Sequence, residues 1–179
     1  MKSLAIFAAL AAFAASPAAA ALKAGDAAPD FVAKGFQAGK PLTFSLAAAR
    51  KKGPVVLYFF PAADTKGCNL EAKMFADAMP QFAAAGATVI GVTAGNLDKL
   101  QKISADTDKC SGKFPVAGDP GAQVARRYDA ILPMKPDWSD RTSYVISRDG
   151  KIVHAYSKAD PTEHVSQTLT AVKAIQRGR

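Results

Sequence analysis

The stretch that decides the fold spans residues 55–75 and reads Val55-Val-Leu-Tyr-Phe-Phe-Pro-Ala-Ala-Asp-Thr-Lys-Gly-Cys-Asn-Leu-Glu-Ala-Lys-Met-Phe75. Its first six residues are apolar and do not alternate with polar ones, which predicts a strand buried on both faces. Pro61 ends this strand, because proline lacks the N–H that pairing requires. A short polar turn follows, and then a helix with Cys68 at its start. The stretch therefore predicts a strand–turn–helix unit.

The position of Cys68 favours a reactive thiol. The first N–H groups of a helix lack partners within the helix, and that end carries a partial positive charge. Both effects stabilise a thiolate, which is the nucleophilic form of cysteine. The alternative is a buried cysteine that only packs, as free cysteines often do. The polar residues Thr65, Lys66 and Gly67 argue against that alternative.

Further strands and helices are predicted around this unit. Residues 87–93 form a second apolar strand, and residues 142–147 and 152–156 flank an Arg-Asp-Gly-Lys turn, which favours a hairpin. A helix with an apolar stripe closes the chain near residues 165–175. The order βαβαβ, followed by a hairpin and a helix, predicts an α/β fold. We expect a thioredoxin-like sandwich with a central mixed β-sheet flanked by helices.

The N-terminal residues predict a secretory signal peptide. Lys2 precedes an uncharged run over residues 4–15, and small residues follow over 18–21, as in an export signal. The run is shorter than the ~20 residues of a membrane span, and an uncleaved anchor is the alternative. We assign residues 1–21 to the signal peptide and 22–179 to one domain. The mature protein is expected in the periplasm or secreted, without stable membrane association after cleavage.

Composition and charge argue against several other functions. The formal net charge is +8, but the basic residues are scattered, and they do not interleave with aromatic residues as in base-stacking proteins. We therefore expect no nucleic acid partner. The chain has two cysteines and two histidines, without a Cys-x-x-Cys or His-x-x-His motif, so we expect neither a metal site nor a cofactor. His154 and His164 are interpreted as surface or hydrogen-bonded residues without a catalytic role.

Several residues around Cys68 fit a site that binds a small oxygen-containing ligand. Pro61 can shield the sulfur from bulk water. The hydroxyl of Thr65 can cap the helix and hydrogen-bond an incoming oxygen. Gly67 allows a close approach of its backbone, so the N–H groups of Gly67 and Cys68 can hold an oxygen anion. Arg141, which precedes a later strand, is the candidate cation for the thiolate.

This set resembles the peroxiredoxin pattern Pro-x-x-x-Thr/Ser-x-x-Cys, here formed by Pro61, Thr65 and Cys68, with Arg141 heading a distant strand. The run Asp-Thr-Lys-Gly-Cys-Asn-Leu-Glu is most similar to the bacterioferritin-comigratory, or PrxQ-like, branch. The resemblance covers about residues 22–177. It implies a thiol-dependent peroxidase, in which Cys68 attacks hydrogen peroxide or an organic hydroperoxide and becomes a sulfenic acid.

The resemblance also implies roles for three further residues. Glu71 would support the site by pairing with Arg141 or the backbone; the alternative is that it only complements the helix dipole. Lys73 stands where many PrxQ-like proteins carry a resolving cysteine, so that role is expected for Cys110, near the end of the next helix. The alternatives for Cys110 are a one-cysteine enzyme resolved by an external thiol and a disulfide with a partner chain. We expect a monomer, reduced by a thioredoxin-like or glutaredoxin-like protein.

Two other functions fit a thioredoxin-like fold. One is a thiol–disulfide oxidoreductase of exported proteins, and the other is a binding module that has lost its chemistry. The first would require Cys-x-x-Cys, where this chain has Thr65-Lys-Gly-Cys68. The second predicts loss of the Pro, Thr, Cys and Arg set, and all four residues are present. The residues therefore favour peroxide reduction.

Overall fold

The computed structural model describes residues 21–177, so the predicted signal peptide, apart from Ala21, lies outside the described residues. The strands are β1 (Val32–Gln37), β2 (Lys40–Ser45), β3 (Val55–Phe59), β4 (Thr88–Thr93), β5 (Val116–Gly118), β6 (Thr142–Ile146) and β7 (Ile152–Ser157). The helices are α1 (Leu46–Lys52), α2 (Lys66–Ala84), α3 (Leu100–Ala105), α4 (Gln123–Arg127) and α5 (His164–Arg177). Across residues 21–177, none of these helices has the length and apolarity needed to span a membrane.

The strands form a mixed sheet in the order β2-β1-β5-β4-β3-β6-β7. β3 runs parallel to β4, and β4 runs parallel to β5. The other pairs are antiparallel. The prediction of a mixed sheet flanked by helices is confirmed.

Strand β3 lies at the centre of two apolar layers. Val55, Leu57 and Phe59 pack in one layer, while Val56 and Tyr58 pack in the other. All five side chains are at most 1% exposed. Burying one large apolar side chain stabilises a fold by about 1.5–3 kcal/mol. The apolar run therefore places β3 in the sheet centre, and the end of β3 fixes where the turn to α2 starts.

Helix α2 follows this turn and packs on the layer that contains Tyr58. The ring of Phe75 from α2 stacks on Tyr58 with 4.3 Å between the ring centroids. The helix ends before Gly86, whose φ of 63° is a left-handed conformation that favours glycine. The predicted strand–turn–helix unit is thus confirmed.

The segment around Cys110 differs from the prediction. Helix α3 ends at Ala105, so Cys110 lies in the turns that follow the helix and not near its end. The carboxylate of Asp106 accepts a bond from the Asp108 N–H at 2.9 Å, and the Asp106 carbonyl accepts one from the Ser111 N–H at 2.9 Å. Such local bonds compete with helical ones, so the backbone folds back on itself before Cys110.

Candidate active site

The site is built where β3, α2 and β6 meet. Cys68 lies in the first turn of α2 and is 4% exposed. β6 pairs antiparallel with β3, and Thr142 stands opposite Phe59. Arg141 therefore lies beside the turn that leads from β3 to α2. Its Nη2 donates a hydrogen bond to Cys68 Sγ at 3.4 Å, so the predicted partnership of these two residues is present.

Three contacts fix the guanidinium of Arg141. Nη2 contacts Cys68, Nη1 donates to Glu71 Oε2, and Nε donates to the Ala159 carbonyl oxygen at 2.8 Å. A guanidinium is planar and rigid, so bonds at all three nitrogens leave it little freedom to rotate. The positive charge of Arg141 is therefore held against the sulfur.

Glu71 is fully buried behind this guanidinium. Burial raises its pKa to about 8, although the charge and hydrogen bond of Arg141 act in the opposite direction. Of the two roles expected for Glu71, the structure supports pairing with Arg141. The direction of this shift matters for the site, because a neutral carboxyl leaves the Arg141 charge free to act on Cys68.

The other predicted residues lie in the same turn. Thr65 precedes α2 as its N-cap, but its hydroxyl donates to the Ala62 carbonyl oxygen at 3.2 Å and does not cap the helix. The capping role expected for the Thr65 side chain is therefore wrong. A Cβ on Gly67 would lie 3.3 Å from Arg141 Nη2, so glycine gives the guanidinium room. The Pro61 carbonyl oxygen accepts a bond from Thr93 Oγ1 at 3.2 Å.

Cys110 is a second free thiol, and it is fully buried. Burial raises its pKa to about 12, and Asp106 adds to the shift. Cys68 and Cys110 belong to the same apolar core, which also contains Tyr58. Burial in this core also raises the pKa of Tyr58. The Cys110 thiol is neutral and enclosed in this state.

An ion pair links the turn before α2 to the segment that carries Cys110. Lys109 Nζ lies 2.6 Å from Asp64 Oδ1 and 3.1 Å from Asp106 Oδ2. Asn69 Nδ2 also donates to Asp64 Oδ1, at 3.3 Å. We call the Asp64–Lys109 contact the clasp. Sequence reasoning missed it, because its two residues are far apart in the chain and no motif links Lys109 to Asp64.

His164 is the second contact that the sequence did not reveal. It begins α5 and is fully buried. Its Nδ1 lies 2.8 Å from Ser143 Oγ and 3.7 Å from Glu71 Oε1, and its Nε2 lies 2.9 Å from the Lys158 carbonyl oxygen. The expectation of a hydrogen-bonded histidine is confirmed, but this one lies directly behind the Arg141–Glu71 pair. His154, on β7, is half-buried.

A large groove lies elsewhere on the described residues. It has a volume of about 830 Å³ and is lined by parts of β1, β2 and α4. Cys68 and Arg141 are not among its lining residues. A thiol in contact with a fixed cation, and not the volume of a groove, is the arrangement that supports nucleophilic chemistry.

Comparisons with known proteins agree with this geometry. A family model described as the AhpC/TSA family matches residues 24–155. The chloroplastic peroxiredoxin Q of Arabidopsis thaliana is 33% identical over 151 residues, which cover 84% of this chain and 67% of the relative. That of Sedum lineare is 29% identical over 154 residues, covering 85% of this chain and 78% of the relative.

A solved structure extends the likeness to three dimensions. The crystal structure of peroxidoxin BcpB from Mycobacterium tuberculosis has a TM-score of 0.74 and 30% sequence identity, and the match covers 86% of this chain and 98% of that one. The fold is therefore the thioredoxin-like fold of the peroxiredoxins. The chain belongs to the AhpC/TSA family as a PrxQ-like peroxiredoxin, a thiol-dependent peroxidase.

Proposed function

We propose that Cys68 is the residue that reduces the hydroperoxide and that Arg141 holds its thiolate. The observation that carries this proposal is the 3.4 Å contact between Arg141 Nη2 and Cys68 Sγ in the first turn of α2. A cation and a helix N-terminus both stabilise a thiolate. Cys110 has neither a guanidinium contact nor a place in a helix among the described residues.

The reaction at Cys68 is a displacement at oxygen. The thiolate attacks the terminal oxygen of the hydroperoxide, an S–O bond forms, and the O–O bond breaks. Sulfur loses two electrons and becomes a sulfenic acid, while the leaving oxygen takes up a proton and departs as water or an alcohol. Negative charge moves from sulfur to the leaving oxygen, so groups that bind an oxygen anion accelerate the step.

Three groups are suited to bind that charge. We assign this role to the Arg141 guanidinium and to the Gly67 and Cys68 backbone N–H groups. The Thr65 hydroxyl already donates its hydrogen to the Ala62 carbonyl, so we assign its oxygen the role of accepting the O–H hydrogen of the bound hydroperoxide. We assign to Pro61, which follows the end of β3, the role of limiting the access of water to the sulfur.

Peroxide consumption by the purified protein with dithiothreitol tests the assignment of Cys68. The Cys68→Ser variant should lose consumption, because an alcohol is not ionised at neutral pH. The Cys110→Ser variant is the matched control, and it should still consume one equivalent of peroxide per protein in a single turnover. A Cys68→Ser variant as fast as the wild type would refute the assignment.

We further propose that Cys110 resolves the sulfenic acid. Its thiol attacks the Cys68 sulfur, a disulfide forms, and water leaves with the sulfenic oxygen. A thioredoxin-like or glutaredoxin-like dithiol then reduces the disulfide. The support is that Cys68 and Cys110 share one apolar core and that short turns, not a helix, carry Cys110. These turns must open, because Cys110 is fully buried.

Mass mapping after one equivalent of peroxide tests the resolving step. A Cys68–Cys110 disulfide within one chain is the expected product. A stable Cys68 sulfenic or sulfinic acid with Cys110 still free would instead indicate a one-cysteine enzyme. A disulfide between two chains would contradict the intramolecular proposal and the expected monomer.

We also propose that the enzyme acts outside the cytoplasm, in the periplasm or as a secreted protein. The support is the export pattern of residues 1–21. Its reductant would then have to be an exported protein of the thioredoxin or glutaredoxin type.

A further inference from the structure

A buried carboxyl oxygen behind the active site has no hydrogen-bond partner in the described part of the chain. Glu71 uses Oε2 to bind Arg141, while Oε1 is buried and unpaired. An unpaired buried carboxyl oxygen is costly. His164 Nδ1 lies 3.7 Å from this oxygen, and both side chains are 0% exposed. A hydrogen bond requires about 2.7–3.2 Å, so a small movement of either side chain would join them.

The contacts of His164 identify which nitrogen is basic. The Lys158 carbonyl oxygen can only accept a bond, so Nε2 carries a hydrogen. In the neutral ring Nδ1 is therefore unprotonated, and it accepts a bond from the Ser143 hydroxyl at 2.8 Å. The single in-plane electron pair of Nδ1 thus accepts from Ser143, and a bond to Glu71 Oε1 requires the Ser143 hydroxyl to turn aside.

Charge balance then favours one proton for the two side chains. Cys68 as a thiolate and Arg141 as a cation are together neutral. A second negative charge on Glu71, with a neutral His164, would leave this enclosed cluster with a net charge, which burial penalises. One added proton, on either Glu71 or His164, restores neutrality. The two positions of the proton differ only by a transfer between Oε1 and Nδ1.

We propose that Glu71 and His164 share one proton and that His164 thereby acts as a positioning residue that keeps the Arg141 charge available to Cys68. When the proton is lost, the Glu71 carboxylate competes with the thiolate for the same guanidinium. Reaction of Cys68 with peroxide should then slow on the alkaline side. The inference rests on the proposed roles of Cys68 and Arg141.

The surroundings of His164 are compatible with this proton. Glu71 faces the ring from α2, and Arg141 and Ser143 face it from the β6 segment. Asp140 and Asp160 act at longer range, while the Tyr156 ring on β7 packs edge-on at 4.8 Å. Burial lowers the pKa of His164 and raises that of Glu71 to about 8. Near neutral pH the proton therefore lies on Glu71 and is shared toward His164.

The first test measures the pH dependence of the reaction between reduced protein and hydrogen peroxide. The wild type should show an alkaline decline near pH 8. In His164→Gln the amide can retain the bond to Lys158 but lacks the basic Nδ1, so the decline should move to lower pH by about one unit. Glu71→Gln should abolish the decline, and adding His164→Gln to it should not change the pH profile further. His154→Gln is the matched control and should retain the wild-type profile.

If His164 served only to pack, His164→Gln would change the reaction rate by the same factor at every pH. An alkaline decline at the same pH in the wild type and His164→Gln would therefore overturn the proposal. The proposal would also be overturned if His164→Gln shifted the pH profile as much in the Glu71→Gln background as in the wild type, since the shared proton is absent from that background.

The second test needs neither peroxidase activity nor a folded His164 variant. ¹⁵N NMR of the two histidines, assigned with His154→Gln, should show the Nε2–H tautomer for His164. Its resonances should respond near pH 8 in the wild type and lose that response in Glu71→Gln. An Nδ1–H tautomer, or the same titration in both proteins, would refute the shared proton. If the NMR result is as expected but the reaction of the wild type with peroxide shows no alkaline decline, the shared proton stands and the proposed roles of Cys68 and Arg141 are contradicted.

Discussion

At the scale of single residues, the site depends on how Arg141 distributes its hydrogen bonds among three partners. One guanidinium contacts the sulfur, a buried carboxyl and a backbone carbonyl. Each of the last two contacts restricts the orientation of the nitrogen that meets Cys68. The reactivity of the thiol is therefore sensitive to residues that never touch the substrate.

Replacing Arg141 with lysine should strongly slow the reaction with peroxide. Lysine keeps the charge, but it cannot bind all three partners through one rigid plane. Loss of one donor to a developing oxygen anion typically costs about 10²–10³-fold in rate. We expect a loss of that order in the second-order rate constant, measured by stopped flow.

Arg148→Lys is the matched control for this substitution. Arg148 lies in the turn between β6 and β7, where it donates to the Lys51 carbonyl oxygen, and its replacement should leave the rate unchanged. An Arg141→Lys variant within about twofold of the wild type, far inside the expected 10²-fold loss, would show that charge alone is sufficient.

Glu71→Gln should flatten the pH dependence of stability. Burial raises the pKa of Glu71 from 4.5 to about 8, so the folded state binds a proton that the unfolded chain releases. This contribution to the free energy of unfolding is fully present below pH 4.5 and is lost as pH rises through about 8. Urea unfolding of the wild type should show that decline. An equal decline in Glu71→Gln would mean that other groups cause it.

The sequence was informative about some of these residues and silent about others. Cys68 and Thr65 belong to one local turn, and Arg141 precedes an apolar strand, so short patterns identify them. His164 has no such pattern, because its partners come from α2, β6 and the loop before α5. Only the packing of these elements shows that a histidine at the start of a helix lies behind the active site.

At the scale of elements, β3 and α2 were predictable because an apolar run, a proline and a glycine-containing turn lie next to each other. The segment after α3 was not, because apolar periodicity fades there and hydrogen bonds from Asp106 end the helix early. The clasp adds a long-range contact to these turns. It holds the segment of Cys110 against the turn that precedes α2.

Breaking the clasp should speed disulfide formation. A partly exposed ion pair contributes at most about 1 kcal/mol, which corresponds to about a fivefold change in an equilibrium. Lys109→Met should therefore raise the rate of Cys68–Cys110 disulfide formation up to about fivefold, measured by quenched-flow trapping of thiols. Less sulfinic acid should accumulate at high peroxide, because the sulfenic acid is consumed sooner.

Lys99→Met is the control for the clasp, since Lys99 pairs with Asp98 on an exposed surface. Acid should act in the same direction as Lys109→Met. The hydrogen bond from Lys109 lowers the pKa of Asp64, so the clasp persists above that pKa and is lost as pH falls through it. Equal disulfide rates in Lys109→Met and Lys99→Met would exclude a role for the clasp.

At the scale of the whole molecule, topology assembles the site. β6 comes late in the sequence but pairs with the central strand β3. Its antiparallel register places Arg141 next to Cys68. The sequence predicted the class of the fold, because strands and helices alternate in it. It could not predict the strand order or the register, since both depend on long-range packing.

The export prediction belongs to this scale. Expressed with its full N-terminus in a bacterium, the protein should be recovered from the periplasm or medium with a new N-terminus near residue 21 or 22. Mass spectrometry of the intact protein would show this new N-terminus. A chain that still begins at Met1 or Lys2 and partitions with membranes would favour the uncleaved anchor.

The burial of Arg141 and Glu71 also has a consequence for ionic strength. Their side chains are 7% and 0% exposed, and buried charges are screened by salt much less than exposed ones. Hydrogen peroxide is uncharged, so added salt should barely alter its reaction with Cys68. A reductant must instead approach the exposed surface of a basic protein, whose full chain has a formal net charge of +8, and there screening is effective. A salt titration would therefore separate the oxidative half of the cycle from the reductive half.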